Sequence, residues 1–505
     1  MNRKIILTFI AMGIGIFVIA ADITSINVAL PAVEKDFKIN LDTVEWIING
    51  YLLAFAVLMV TCGRLADMYG RRKIFLIGLV LFAAASLIGG LAQDAGLLIA
   101  MRVLQGAAAA FMWPAILGIC YASVSESRKG YAMGLVFAVG GFGNAAGPLF
   151  GGVLTEFLSW RWVLFVNVIL AVLAGLITYF AVEEQSAEGE EEGIDYIGIS
   201  TFSVMILALL YALDQSTSWG WLSLNTVGLF IISMIFLAIF LKIERKRDCA
   251  LIPEDVMKNS TFMTYCIIMA TIVPTFFALF LYVPQYLEKF KNYTPIEAGA
   301  GLVPMLLTYS LISPFSGRIY NSLGSRITII AGMLLTSLGT FCLVFFGLGT
   351  SIIYMFLASM LCGAGIGLAI PSITTAGVGS VDESRASLAG GIIFMFQLSG
   401  AALGLAVITT LFIDTAINDL IGRISSLDLS LNAANIENIK SFILGSSTEQ
   451  MLEANVGSSL LSKLLPHIKH SYTEGLRIGL SFSATVILIG AAVTLFFTKG
   501  HRGKS

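Results

Sequence analysis

Charge is what this chain has least of. Only 12% of its 505 residues are Asp, Glu, Lys or Arg, against about 25% in soluble domains, which excludes a large soluble enzyme. The net charge of −2 leaves no basic excess for a phosphate backbone, so no nucleic-acid partner is expected. Histidine is nearly missing as well. His467, His470 and His501 all fall in predicted loops, which excludes a histidine proton relay inside a membrane. No cluster has metal-ligand spacing and no nucleophile elbow occurs, so no metal, no cofactor and no enzyme active site are expected. The six cysteines are Cys62, Cys120, Cys249, Cys266, Cys342 and Cys362. All are placed in predicted helices or on the predicted cytoplasmic side, so no disulfide framework is implied.

What the chain has instead is apolar length. It is 57% apolar, with a mean hydropathy of +0.88. The apolar residues come in runs of around 20, enough to cross a hydrocarbon core of roughly 30 Å as a helix. Fourteen spans are predicted, near 6–30, 45–63, 73–92, 97–122, 131–156, 161–182, 195–214, 222–243, 262–288, 296–319, 327–347, 351–378, 386–414 and 472–498. The run after Arg3-Lys4 continues to about Leu30, too long for a cleaved signal peptide, and reads as an uncleaved first span. Roughly 19 of the 30 basic residues fall on one side of this topology, which predicts both termini in the cytoplasm. The Glu-rich stretch 183–192 reads as a solvated linker. The polar stretch 415–470 is expected outside the cell. Its scattered apolar residues Leu420, Ile424, Leu427, Leu431, Ile436, Phe442 and Ile443 suggest a small ordered hairpin of helices.

The chain also repeats itself. Ser125-Glu126-Ser127-Arg128 returns 257 residues later as Asp382-Glu383-Ser384-Arg385, and Gly106, Pro114, Gly134, Gly143 and Gly147 return as Gly363, Pro371, Gly391, Gly400 and Gly404. GRLADMYGRRK (63–73) is echoed at an offset of 254 by GRIYNSLGSRI (317–327). Repeats of membrane-spanning length are the trace of a transporter built from two related halves around a central site. The expected fold is all-α, with a six-helix half at 1–182 and another at 262–498 that carries the loop 415–470. Between them lie an acidic linker at 183–194, an inserted two-helix hairpin at 195–243 and a linker at 244–261, and 499–505 forms a tail. The chemistry does not repeat: the positions equivalent to Asp22 and Arg102 are uncharged, Arg102 mapping to Ser359.

A charge inside hydrocarbon costs about 2.5–3.5 kcal/mol on insertion scales and is a functional candidate by default. Asp22 and Arg102 are the two here. Helical rise places Asp22 about 12–14 Å, and Arg102 about 9 Å, below the outer ends of their spans, so they are expected to pair and to carry a proton. Burial disfavours an ionised carboxyl while a guanidinium favours it, and a site that changes this balance as it opens to either side can load and release a proton. Gly63, Asp67, Gly70, Arg71 and Arg72 form a predicted cytoplasmic gate. Its glycines permit a tight turn, and Asp67 is free to meet a helix N-terminus or a basic partner. Gly143, Gly147, Pro148, Gly151 and Gly152, together with Gly140 and Gly141, suit a close seam or hinge. Candidate substrate contacts are Asn27, Asn49, Phe111, Trp113, Asn144, Phe276, Phe277, Tyr282, Phe394 and Gln397, a lining of rings and amides fit for lipophilic molecules.

Five strings, in order, resemble the major facilitator superfamily, and within it the fourteen-helix drug:proton antiporter branch. DITSINVALP (22–31) resembles that branch's first-span signature, GRLADMYGRRK the loop 2–3 signature and RVLQGAAAA (102–110) the span 4 signature. GNAAGPLFGG (143–152) resembles the span 5 antiporter signature, and WRWVLFVNV (160–168) is typical of the branch. The resemblance implies proton-driven multidrug efflux by alternating access at the plasma membrane, by a monomer whose partners are protons, lipid and a small lipophilic substrate. Some polyspecific relatives carry acids in later spans where this chain has FMFQLSG. Divalent cations are therefore a poor fit, and monocations or neutral amphiphiles a better one. Two other readings stay open: export or flipping of an endogenous lipid, fatty acid or metabolite, and a non-transporting membrane sensor.

Overall fold

A run of apolar residues away from water can satisfy its backbone only by closing its own hydrogen bonds, as a helix does. The computed structural model describes residues 3–184, 193–245, 247, 249–291, 293–347, 349–425, 433–444 and 449–498, and among them the regular elements are all helical. They are α1 Arg3–Phe37, α2 Leu41–Tyr69, α3 Arg71–Gly90, α4 Ala95–Ala122, α5 Lys129–Phe157, α6 Arg161–Ala181, α7 Tyr196–Trp219, α8 Leu224–Glu244, α9 Glu254–Met257, α10 Ser260–Lys291, α11 Pro295–Ala300, α12 Val303–Leu323, α13 Ser325–Val344, α14 Ile352–Val378, α15 Ala386–Ser425, α16 Ala433–Leu444, α17 Glu449–Val456 and α18 Ser458–Phe497. Fourteen are long and apolar enough to cross a membrane. Most of the acidic linker, the tail 499–505, Leu427 and Leu431 lie outside the described residues.

The breaks between helices have local causes. Asn40, Asp94, Ser223 and Ser351 cap α2, α4, α8 and α14 by accepting a backbone N–H two or three residues on. Gly70 and Gly324, an echo pair, both turn at positive φ, 102° and 88°, which costs a glycine nothing. These turns lie at the end of the bundle where Arg3 begins and Phe497 stops, the basic end.

Two boundaries differ from the expectation. The stretch 415–470 is not a loop throughout, because α15 and α18 reach 40 residues each. That is about 60 Å of helix, twice a hydrocarbon core, and both project beyond the far end. Their extensions keep an apolar face, with Leu420, Ile424, Leu464 and Ile468 buried against Phe442 and Ile443 of α16. Polar residues between these apolar positions hide that the helices continue the two spans without a break. The tenth span is two helices, α11 and α12, interrupted at Gly301-Leu302.

The bundle joins along two seams, α2 against α15 and α5 against α12, while α7 and α8 pair with each other and α7 lies on α2 and α15. The seams are equivalent under the repeat. A Cβ on Gly63 would come within 2.7 Å of Ser387 O, and one on Gly317 would overlap Gly130. Further in, a Cβ on Gly391 would come within 2.8 Å of Met59 O, and one on Gly134 would overlap Ser313 O. Each contact maps onto the other by the offsets of 254 and 257, so the halves approach backbone to backbone.

Candidate functional site

Asp22 and Arg102 meet. The Arg102 Nη1 donates to Asp22 Oδ2 at 2.6 Å, and both side chains are buried to 1% exposure or less. The arginine's depth in α4 is therefore fixed by pairing and not by reach to an interface. Its Nε donates to Ile47 O at 3.1 Å and its Nη1 to Gln105 Oε1 at 2.9 Å, while its plane lies 4.4 Å from the Tyr51 ring centre. Gln105 in turn donates to Ser86 Oγ at 2.7 Å. The second carboxylate oxygen, Asp22 Oδ1, accepts from Asn167 Nδ2 at 2.6 Å. The site is a five-helix network drawn from α1, α2, α3, α4 and α6, with the Tyr51 ring of α2 also lying against the guanidinium. Sequence reading missed Tyr51, Ser86, Gln105 and Asn167; Gln105 and Asn167 stood inside quoted strings.

The glycines of α5 seat this helix on α1 beside Asp22. A Cβ on Gly147 would overlap Thr24, one on Gly151 would come within 2.5 Å of Ser25 O, and one on Gly143 within 3.0 Å of Ala20. Ser25 Oγ donates to Gly147 O at 2.7 Å. Gly152 is different, with only Val28 at 3.8 Å, and Gly141 faces Tyr309 of α12. Pro148 lies within the continuous α5. The small residues thus serve two surfaces, α1 and α12.

At the basic end the halves are latched. Asp67 accepts from Leu388 N at 2.7 Å, Ser387 N at 3.2 Å and Arg71 Nε at 3.0 Å, placing its carboxylate on the N-terminus of α15. Arg71 reaches across to Glu383 O at 2.6 Å. Two gate expectations are corrected. Gly63 lies within α2 and makes the seam contact with Ser387, so only Gly70 turns the chain. Arg72 stays within the first half, donating to Tyr179 O at 2.6 Å and through its backbone to Glu184 at 3.1 Å. The residue that sequence reading missed is Lys129. Buried, it donates to Glu126 Oε1 at 2.5 Å and Glu383 Oε2 at 2.7 Å, the two echo glutamates. Asn321, the echo of Asp67, donates to Ser127 O at 2.5 Å.

The expected substrate contacts divide. Phe394 of α15 packs on Trp113 of α4 with ring centres 4.6 Å apart and on Phe55 of α2 at 5.4 Å, so an aromatic cluster spans the halves. Trp113 Nε1 and Gln397 Oε1 are buried without a partner among the described residues. Phe276 contacts Phe277 at 5.5 Å and Tyr309 at 6.2 Å; Asn144 is half-buried. The others are engaged elsewhere. Asn27 donates to Ile23 O of its own helix and Asn49 to Asp214 Oδ2 at 3.4 Å. The Cβ of Phe111 lies against Gly78 of α3. Tyr282 is buried in the second half, bonded to Thr409 at 2.5 Å and packed on Phe412. An aromatic residue in a helix carries no sign in the sequence of which face it takes.

Residues 12–405 match the family model described as Major Facilitator Superfamily. The chain is 32% identical over 412 residues to "Multidrug resistance protein Stp" of Mycobacterium tuberculosis (strain CDC 1551 / Oshkosh), covering 81% of this chain and 76% of that one. It is 28% identical over 501 residues to the "Tetracenomycin C resistance and export protein" of Streptomyces glaucescens, covering 98% and 92%. Among solved structures, a proton:xylose symporter of the same superfamily superposes with a TM-score of 0.63 at 13% identity, over 100% of this chain and 98% of the other.

Proposed function

The chain belongs to the Major Facilitator Superfamily and is a multi-pass membrane transporter, and we propose that it is a proton-coupled exporter of lipophilic monocations or neutral amphiphiles. The observation that carries this reading is the Asp22–Arg102 pair, an ionisable pair sealed in an otherwise uncharged part of the bundle. In the proposed cycle the basic end is cytoplasmic, in the plasma membrane. A proton arriving from the far side neutralises Asp22, and Arg102 loses its partner. The α1–α5 seam beside Asp22 and the α5–α12 seam beyond it then shift together, since a packed interface moves between discrete arrangements. Release of the proton at the basic end re-forms the pair. The names of the relatives, which include export and drug resistance, support the direction and the class of cargo.

The aromatic wall of Phe55, Trp113 and Phe394 offers area burial and cation–π contact, with Trp113 as a donor and Gln397 as an acceptor. Its neutrality also favours a second reading, in which the cargo is an endogenous lipid or fatty acid. Proteoliposomes with an imposed pH gradient separate these. The expected result is gradient-driven movement of a fluorescent lipophilic monocation by the wild type and none by Asp22→Asn. Equal movement by both would sink the coupling assignment. Movement of a labelled phospholipid but of no cation would select the second reading.

A further inference from the structure

The hairpin α7–α8 carries a charged cluster that the transport reading leaves unused. Asp195 stands just before the start of α7 at the basic end, its side chain making no cap bond, and Glu244 ends α8 beside it; they are 3% and 4% exposed. Each carboxylate has one oxygen provided for. Asp195 Oδ1 accepts from Arg247 Nη1 at 2.5 Å, and Glu244 Oε1 accepts from the Ile252 amide at 2.5 Å. Each has one oxygen left over: Asp195 Oδ2 and Glu244 Oε2 are buried without a hydrogen-bond partner among the described residues. Both face the space left by the missing side chain of Gly198. A Cβ there would overlap Asp195 Oδ2 and lie 3.2 Å from Glu244 Oε2.

Two carboxylate oxygens turned toward one gap, each without a donor, repel when both acids are ionised. A single proton removes the repulsion and satisfies both, one oxygen donating through it and the other accepting. We propose that Asp195 and Glu244 hold one proton between them, making the root of the hairpin a second proton-binding site of this transporter. Arg247 balances an ionised Asp195, which speaks against a second proton. Arg64 of α2 lies in the same crevice with Leu65, Cys249 and Leu251, so it is the two partnerless oxygens, and not the charge balance, that call for the one proton. A metal ion would need more oxygen ligands than these two acids offer. Arg64 is also one turn from Asp67 on α2. The site therefore stands between the hairpin and the helix that carries the latch. While the proton is held, the Ile252 amide keeps its acceptor and the root of the hairpin stays closed. When it leaves, the two acids part.

The site is testable without transport, so its failure is separate from any failure of the export reading. Reconstituted wild type should show by infrared spectroscopy a protonated-carboxyl stretch at neutral pH that is missing from Glu244→Gln and displaced in Asp195→Asn. Hydrogen exchange gives a second readout. A glutamine at 244 accepts from Ile252 with its carbonyl and donates to Asp195 with its amide, so it mimics the protonated acid at every pH. As pH rises, the wild-type segment 249–253 should lose protection relative to Glu244→Gln measured at the same pH. Identical infrared spectra for wild type and Glu244→Gln, or loss of protection in parallel in both, would overturn the proposal.

Discussion

The Asp22–Arg102 pair lies where neither partner can be removed cheaply. Taking one charge from a buried pair leaves the other uncompensated, at about 3–5 kcal/mol, whereas replacing both by neutral groups is often close to neutral. Arg102→Gln and Asp22→Asn should each lower the thermal unfolding midpoint in detergent, and the double substitution should recover most of the loss; a purely additive cycle would contradict direct coupling. Arg102→Lys should fail to rescue transport, because one ammonium cannot hold Asp22, Ile47 O and Gln105 together as the guanidinium does. The pair was legible in the sequence because charge is so rare in the spans. Its neighbours were not: Ser86, Gln105 and Asn167 are ordinary residues until five helices converge around the pair.

Helices explain why the glycines of α5 differ among themselves. Gly147→Ala forces a methyl into Thr24 and should displace α5 from α1, at about 1–3 kcal/mol for an overpacked contact, with loss of gradient-driven transport. Gly152→Ala meets only Val28 at 3.8 Å and should transport like the wild type. Comparable loss in both would mean that the glycines matter for helix flexibility and not for close approach. The sequence announced a crowded glycine segment, but seven Gly and Pro in thirteen residues carry no periodicity to say which face each one takes. The reverse holds for α15 and α18. The apolar positions after 414 were legible as helical, but the charged and polar residues between them hide that α15 and α18 simply continue, so a hydropathy reading stops each span early.

At the level of the whole molecule the repeat was the most legible feature, and the two seams follow it contact for contact. What it concealed is Lys129, a single cation held by both echo glutamates. Lys129→Gln should loosen the seal at the basic end, read as faster maleimide labelling of the buried Cys120 in a variant retaining only that cysteine. An unchanged rate would remove Lys129 from the gate. The lysine has no echo, so comparing the halves could not find it.

The two latches are also unequal in kind. Asp67 offers a full negative charge to two backbone N–H groups and an arginine, bonds worth about 1.5–3 kcal/mol each, while Asn321 makes a neutral bond worth about 0.5–1.5 kcal/mol. Unequal fasteners on a symmetric frame predict a door and not a clamshell, with the α5–α12 side parting first and the α2–α15 side as the jamb. Paired spin labels across each seam should report that order, with the α5–α12 distance lengthening ahead of the α2–α15 distance as the basic end opens.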